Sequence, residues 1–383
     1  MEKPKSLEEC RARISEIDQQ LEELFVRRMN TAADVAAYKK ENGLPVFDRT
    51  RERSILSRVV KNAPKELAGY AKVLFATLMD LSRSYQSSLI VPEGTLSAAV
   101  ERALAHAPAL FPASAVVGCM GLEGAYAQAA CDKLFRNADI LYFHNFEGVF
   151  QAVENGLCQF GVLPIENTSA GTVAAVYDLM RKSKFHIVRS LRHQICNRLL
   201  VKPGTKLEEI TEVVSHEQAL KQCSEFLNRR KGLRITMAES TAKAAKIASD
   251  SDRSDLAAIA SADCGEIYGL QALEVNVQNS DYNYTRFICI ARDLTIYPGA
   301  NRISLVASLP HRPGELYRMI ARFAALGLNL TKLESRPIPG KEFEYLFYFD
   351  LEGSVQDPQV LRMLSDLEND VANITFLGNY QEI

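Results

Sequence analysis

Asn283-Tyr284-Thr285-Arg286-Phe287 sets a hydroxyl and a guanidinium side by side between aromatic rings, and the apolar run 287–291 follows at once. That is the pattern of a polar pair at the mouth of a buried strand, where small-molecule sites in α/β folds collect. Upstream, apolar runs at 115–120, 140–143, 160–163, 212–214, 235–237 and 257–260 read as strands. Between them, 126–135, 146–155, 173–180, 217–228 and 241–249 carry helical spacing. This alternation predicts two mainly parallel sheets with a cleft between them. Polar residues gather just after the strands, in Pro164-Ile165-Glu166-Asn167-Thr168-Ser169-Ala170-Gly171-Thr172 and in Ser215-His216. The first of these opens a helix, whose hydroxyls and free N–H groups can receive an anion. Gln218 and Gln222 share a face of the helix after the second.

The chain has 383 residues, too many for one ordinary core, and two or three domains are expected. About half the residues are apolar and the formal net charge is −2, a globular balance with no basic excess for nucleic acid. No apolar run reaches the roughly 18 residues of a membrane span, and the N-terminus is charged and periodic, so neither a span nor a signal core is expected. The eight Cys are scattered singly and read as thiols in a reducing cytoplasm. There is no Walker loop and no G-x-G-x-x-G after a strand. The His spacing offers no metal motif, so neither cofactor nor metal is expected.

Residues 1–90 are helical in pattern. Leu7, Cys10, Ile14, Ile17, Leu21, Leu24, Phe25, Ala32, Val35 and Ala36 recur at helical spacing, and Ser6 with Glu9 forms a capping box. Nothing interrupts until Gly43 and Pro45, so one helix of about 35 residues, roughly 50 Å long, is expected. A second begins near Asp48 and a third covers 65–89. Three helices of this kind cannot enclose a core alone, which points to a second copy of the chain as the partner. Arg28 and Lys39 return to nearly one face; Asp48, Arg51 and Glu52 share another; Ser82 and Gln86 share a third. Arg11 lies about 25 Å along the axis from Arg28 and on a different face, so it can join the same site only from the other subunit.

These residues, with the string Pro45-Val46-x-Asp48-x-x-Arg51-Glu52, resemble the site of the all-helical chorismate mutases. The resemblance implies an intertwined dimer and a cofactor-free rearrangement of chorismate to prephenate. Arg11, Arg28 and Arg51 would clamp the carboxylates. Lys39 and Gln86 would donate to the ether oxygen as its C–O bond breaks, with Asp48 and Glu52 orienting the ring hydroxyl or the cations and Ser82 lining the site.

Over 114–295, Gly121-x-x-Gly124-x-Tyr126, the 163–171 segment, Ser215-His216-x-Gln218 and the Thr285-Arg286-Phe287 stretch resemble, in order, the prephenate dehydratase signatures. The family fold implied is a pair of α/β lobes like periplasmic binding proteins, with the Thr-Arg-Phe strand returning to the first lobe. Thr285 takes the place of the essential threonine. Asn167, Thr168, Ser169, Ser215, Gln218, Gln222, Arg286 and Phe287 are the remaining candidates for prephenate binding. Ala127-Gln128 departs from the Ser-His of many members.

A segment 91–113, marked by Pro92, Gly94, Pro108 and Pro112 and carrying a short helix at 96–107, reads as a linker. Residues 300–383 follow a βαββαβ pattern, the ferredoxin-like plan. Pro313-Gly314-x-Leu316, Asn329-Leu330 and Glu334-Ser335-Arg336-Pro337 resemble the regulatory ACT domain of prephenate dehydratases, with Glu315 where a small residue is usual. The resemblance implies phenylalanine held at a subunit interface near these residues. The whole reading is a cytoplasmic homodimer or homotetramer that takes chorismate to phenylpyruvate under phenylalanine control. The alternatives are a dehydratase preferring arogenate and a catalytically silent phenylalanine-binding protein.

Overall fold

A computed structural model of the chain describes residues 6–90, 94–230, 232–338, 340–341, 344–371 and 373–383. Helix α1, Leu7–Glu41, is one unbroken rod of 35 residues. Ser6 and Glu9 exchange both capping-box hydrogen bonds at its start. Helix α2, Arg49–Asn62, starts at Asp48, whose carboxylate accepts from Arg51 N at 2.9 Å. Helix α3, Ala68–Ile90, packs against both. The face of α1 turned to its neighbours buries only Ala32 and Ala36, whereas Leu7, Ile14, Ile17, Leu21 and Leu24 are 47% to 66% exposed. The stripe that makes α1 amphipathic therefore finds no cover among the described residues of one chain.

Pro92 lies outside the described residues. The short helix expected in the linker is α4, Thr95–Ala105, and it is not loosely tethered. Val100 is fully buried in the core of the C-terminal module, with Leu96 and Leu104 packed around it.

The dehydratase-like region forms two lobes. The first contains β1 Ser114–Met120, α5 Tyr126–Leu134, β2 Asn137–Phe143, α6 Phe146–Glu154, β3 Phe160–Asn167, the short β4 Gly171–Thr172, α7 Ala174–Lys182 and β5 His186–Gln194. The second contains β6 Arg198–Val201, β7 Glu212–His216, α8 Glu217–Gln222, α9 Ser224–Asn228, β8 Arg234–Ala238, α10 Thr241–Asp250, β9 Leu256–Ala260, α11 Ala262–Ile267 and β10 Gln271–Glu274. Strand β11, Tyr284–Ala291, then returns to the first lobe between β3 and β5.

The sheets are mixed, not mainly parallel. β1, β2 and β3 are parallel, as are β7, β8 and β9, but β11 runs antiparallel to both β3 and β5, and β6 antiparallel to β9 and β10. The antiparallel strands are those that carry the chain between the lobes, so they cannot follow the βαβ direction. The sequence pattern gives no strand at 186–194 or 198–201, where Arg and His interrupt the apolar run. The single helix expected over 217–228 is broken at Cys223 (φ −111). Asn279 causes the break: its backbone donates to Gln222 O at 2.7 Å and its side-chain oxygen accepts from Glu225 N at 3.0 Å.

In the C-terminal module, β12 Arg302–Ser308, α12 Glu315–Ala325, β13 Asn329–Pro337, β14 Tyr345–Glu352, α13 Pro358–Asp370 and β15 Asn373–Glu382 give an antiparallel sheet of order β13-β14-β12-β15. This sheet does not stop at the module. The last residues of β15 pair in parallel with β5, Gln381 with Arg189 and Glu382 with Ser190, joining ten strands into one sheet. The junction requires Gly378: any Cβ there would collide with the Ile187 carbonyl oxygen.

Candidate functional site

Polar groups converge at two places, the cleft between the α/β lobes and the face shared by α1, α2 and α3. In the cleft, β3 ends at Asn167 opposite Thr285 at the start of β11. Asn167 Nδ2 lies 2.9 Å from Thr285 Oγ1 and 2.9 Å from Asn283 Oδ1. Its carbonyl oxygen accepts from Ser169 N and Ala170 N at 2.9 Å and from Gln218 Nε2 at 3.4 Å, and Asn283 Nδ2 reaches Gln222 Oε1 at 3.0 Å. Thr285, Asn167, Gln218, Gln222 and Phe287 line a cavity of about 250 Å³, closed by Tyr126, Phe146, His216 and Glu239. A larger hollow of about 620 Å³ shares His216, Gln218 and Gln222 with it and adds Ser169.

Three expected cleft residues are elsewhere. Arg286 points to the opposite side of β11 from Thr285 and Phe287, as the two-residue period of a strand demands. Its guanidinium is buried against the C-terminal module, 2.5 Å from Asp350 Oδ2, 2.8 Å from Tyr380 OH and 3.0 Å from Glu382. Burial opposes its charge, but Tyr380, Asp350 and Glu382 together outweigh that and hold its pKa above the ordinary value. Ser215 is fully buried and donates to Ile259 O at 2.6 Å beneath the cleft floor. The Thr168 hydroxyl is spent on the adjoining loop, donating to Tyr282 O and accepting from Tyr284 N, both at 3.0 Å.

Other residues in or beside the cleft carry no single-residue signal in the sequence. Glu239 follows β8 immediately, and the rule that sites lie at strand ends could have found it. His193 sits opposite Thr285 on β5, with its ring 5.9 Å from Tyr126 and 6.4 Å from Phe287. Burial, with Lys133 adding to it, lowers its pKa to about 4. In the first loop, where the sequence departs from the family, Gln128 Oε1 accepts from Gly124 N at 2.7 Å and Tyr142 OH at 2.8 Å, and Ala127 lines the cavity.

On the helical face, Arg28 donates to Leu78 O at 2.9 Å and to the Ser82 hydroxyl. Lys39 donates to Val46 O at 2.5 Å and lies 3.3 Å from Gln86 Oε1. Ser82 and Gln86 are buried one turn apart on α3, so the two cations of α1 converge on one stretch of it. Burial lowers the Arg28 pKa and raises that of Glu52, the latter opposed by Arg83. Glu52 is held by Arg83, a residue without a role in the sequence reading, at 2.8 and 3.0 Å. Asp48 is occupied by capping α2, and Arg51 and Arg11 are exposed.

Family models match both regions: chorismate mutase type II over residues 10–87 and prephenate dehydratase over residues 117–295. The bifunctional chorismate mutase/prephenate dehydratase of Enterobacter agglomerans is 32% identical, covering 97% of this chain and 94% of that one. The chain belongs to the bifunctional chorismate mutase/prephenate dehydratase family. It carries both catalytic domains and serves phenylalanine biosynthesis. The chloroplastic arogenate dehydratase/prephenate dehydratase 1 of Arabidopsis thaliana is 39% identical, over 69% of this chain and 71% of its own length. The structure of prephenate dehydratase from Arthrobacter aurescens in complex with L-Phe is 27% identical, with a TM-score of 0.64 over 70% of this chain and 89% of that one. Among the described residues no helix is long and apolar enough to cross a membrane.

The candidate effector residues are not gathered into one cavity within a single chain. Glu315 and Leu316 border a small hollow of about 110 Å³ with Tyr345 and Phe347. Gly314, at φ +90, begins α12 in the left-handed region that glycine favours. Glu334 and Arg336 instead meet the first lobe, at Thr172 (3.1 Å) and Asp178 (3.1 Å), beside a Lys332–Glu166 ion pair at 2.6 Å. Asn329 donates to Glu352 at 2.8 Å, and Leu330 and Ser335 pair with Leu351 and Phe347 of β14.

Proposed function

We propose that the two activities occupy separate sites, with Arg28, Lys39, Glu52 and Gln86 serving the mutase and Thr285 and Asn167 the dehydratase. The observation that carries this reading is the convergence of Arg28 and Lys39 on Ser82 and Gln86. Chorismate carries two carboxylates and rearranges through a pericyclic transition state, so positioned cations suffice. Arg28 holds a carboxylate. Lys39 occupies the Gln86 carbonyl oxygen, which leaves the Gln86 NH₂ to donate with Lys39 to the ether oxygen as it gains negative charge.

Prephenate loses CO₂ and its ring hydroxyl together, and aromatisation drives the step. Thr285 accepts from Asn167, so its own O–H is left to donate to the departing oxygen. Glu239 favours testing a second substrate in this cleft, because a carboxylate in the wall suits the ammonium group of arogenate better than the keto acid of prephenate.

The exposed α1 stripe supports an intertwined dimer in which Arg11 of one copy completes the site of the other. Leu7, Cys10, Ile14, Ile17, Leu21 and Leu24 alternate at steps of three and four, the spacing of a helix–helix seam. Leu21→Asp, followed by sedimentation, should give a smaller species that has lost mutase activity; an unchanged mass refutes the dimer. The C-terminal module is read as an ACT domain that binds phenylalanine between subunits, and the enzyme as cytoplasmic. The whole assignment is tested by adding chorismate and following phenylpyruvate, with and without L-phenylalanine, and by repeating the assay with arogenate. A chain that turns over neither chorismate nor prephenate is the silent binding protein.

A further inference from the structure

Glu52 of the mutase face ends a row of charges that begins outside the helical domain. Arg83 Nη1 grips both Glu52 oxygens, and Arg83 Nη2 pairs with Asp80 Oδ1. The other Asp80 oxygen takes Arg318 Nε, from α12 of the C-terminal module, at 3.1 Å. Arg318 Nη1 in turn lies 3.2 Å from Glu315, at the start of the same helix. Signs alternate along the row. The Phe47 ring, 4.9 Å from the Arg83 guanidinium, closes its side, and the row borders a cavity of about 250 Å³ between the domains. The Glu52, Arg83 and Asp80 side chains are 13% to 18% exposed, and that of Arg318 is 33% exposed. Charges this far out of water hold geometry more firmly than exposed pairs do.

Without Arg318, two carboxylates compete for one guanidinium. Asp80 then draws Arg83 toward itself, and Glu52 loses the grip of Arg83 Nη1 on its two oxygens. We propose that Arg318 of the C-terminal module is a positioning residue for the mutase reaction, fixing the Glu52 carboxylate through Asp80 and Arg83. This rests on the reading that Glu52 serves the mutase site. It makes mutase turnover depend on how the C-terminal module is seated. Docking itself has further support where α3 packs against α13, with Ser84 on Asp366 at 2.5 Å, so a change at Arg318 leaves the module in place.

The test uses full-length Arg318→Gln, Arg318→Glu and Arg318→Lys, with mutase kcat and KM measured on chorismate and dehydratase turnover on prephenate in the same preparations. Arg318→Gln should lower mutase kcat about tenfold and Arg318→Glu further, with KM within about twofold, Arg318→Lys near wild type and the dehydratase unchanged. The double variant Arg83→Ala/Arg318→Gln should be no slower than Arg83→Ala alone. Wild-type mutase kcat in Arg318→Glu overturns the proposal, as does parallel loss of both activities in all three variants. Lys39→Ala separates the two failures: if it matches wild type on chorismate, the mutase assignment itself is wrong, whatever Arg318 does.

Discussion

Asn167 and Thr285 face each other across the β3–β11 ladder, with the Asn167 amide nitrogen 2.9 Å from the Thr285 hydroxyl oxygen. The amide can only donate, so the hydroxyl accepts and its proton is directed elsewhere, into the cavity it lines. Asn167 is itself fixed, because its oxygen takes two backbone N–H groups of the following turn. The hydroxyl is thus aimed before substrate arrives.

Thr285→Ala removes this donor and should slow dehydration by about 10²–10⁴-fold, the usual scale for a positioned acid, while mutase turnover stays within twofold. Thr285→Ser keeps the hydroxyl and should retain most of the rate. Assaying chorismate and prephenate separately on each variant decides the matter; equal loss of both activities would falsify the two-site reading.

Lys39→Ala tests the helical site. Lys39 is the cation nearest Gln86, and its loss removes a donor from the ether oxygen and frees Gln86 Oε1. Mutase turnover should fall by about 3–4 kcal/mol of transition-state stabilisation, with the dehydratase untouched. Circular dichroism should match wild type, since the Lys39 amine bonds a loop carbonyl at Val46 and the Gln86 side chain, and neither bond belongs to a helical ladder. A variant with near-normal chorismate turnover removes Lys39 from the site.

The periodic parts of this chain were legible before the structure. α1 was readable to the residue at its start because Ser6 and Glu9 form a capping pattern, and β11 because a polar pair precedes an apolar run. What local pattern cannot show is where a side chain finds its partner. Arg286 is next to Thr285 in sequence, yet strand alternation sends it to Asp350, 64 positions away. Arg83 reads as one more solvated helix charge until α2 brings Glu52 against it. β5 was hidden because its polar residues face other strands' polar residues, Arg189 meeting Gln381 at 3.0 Å, so the apolar signal of a buried strand is missing. The extension of one sheet across the dehydratase lobe and the C-terminal module follows from that same concealment.

Arg286→Leu should destabilise the protein rather than only slow it. The guanidinium offsets Asp350 and Glu382 in a buried cluster that also holds Ser304 and Tyr380, with Ser304 Oγ 2.5 Å from Asp350 and 2.7 Å from Tyr380 OH. Arg302 and Arg192 also pair with Glu382, so Asp350 is the group left exposed to the loss. Removing one partner of a buried pair costs about 3–5 kcal/mol. The urea midpoint of the dehydratase unit should fall accordingly. A midpoint equal to wild type would show that Ser304 and Tyr380 satisfy Asp350 without the charge.

His193 predicts how stability changes with pH. Burial holds its folded pKa at about 4, below its ordinary 6.5, so the unfolded chain binds a proton in this window that the folded chain does not. Its contribution is therefore complete above pH 6.5 and is lost as pH falls toward 4. His186, also lowered by burial, acts with the same sign. The paired carboxylates Asp255 and Glu212 have lowered values too, but their loss begins as pH falls into the ordinary carboxylate range, so it overlaps only the acid end of this interval. Glu52, raised by burial, has the opposite sign. The urea midpoint should drop between pH 6.5 and 4, and His193→Gln should shrink that drop without altering the midpoint at pH 8 beyond a constant offset. The same pKa bears on the chemistry: at pH 7 His193 is neutral, so a histidinium at this position is not the acid that assists Thr285. An NMR titration placing the His193 pKa near 6.5 in the folded protein would undo both arguments.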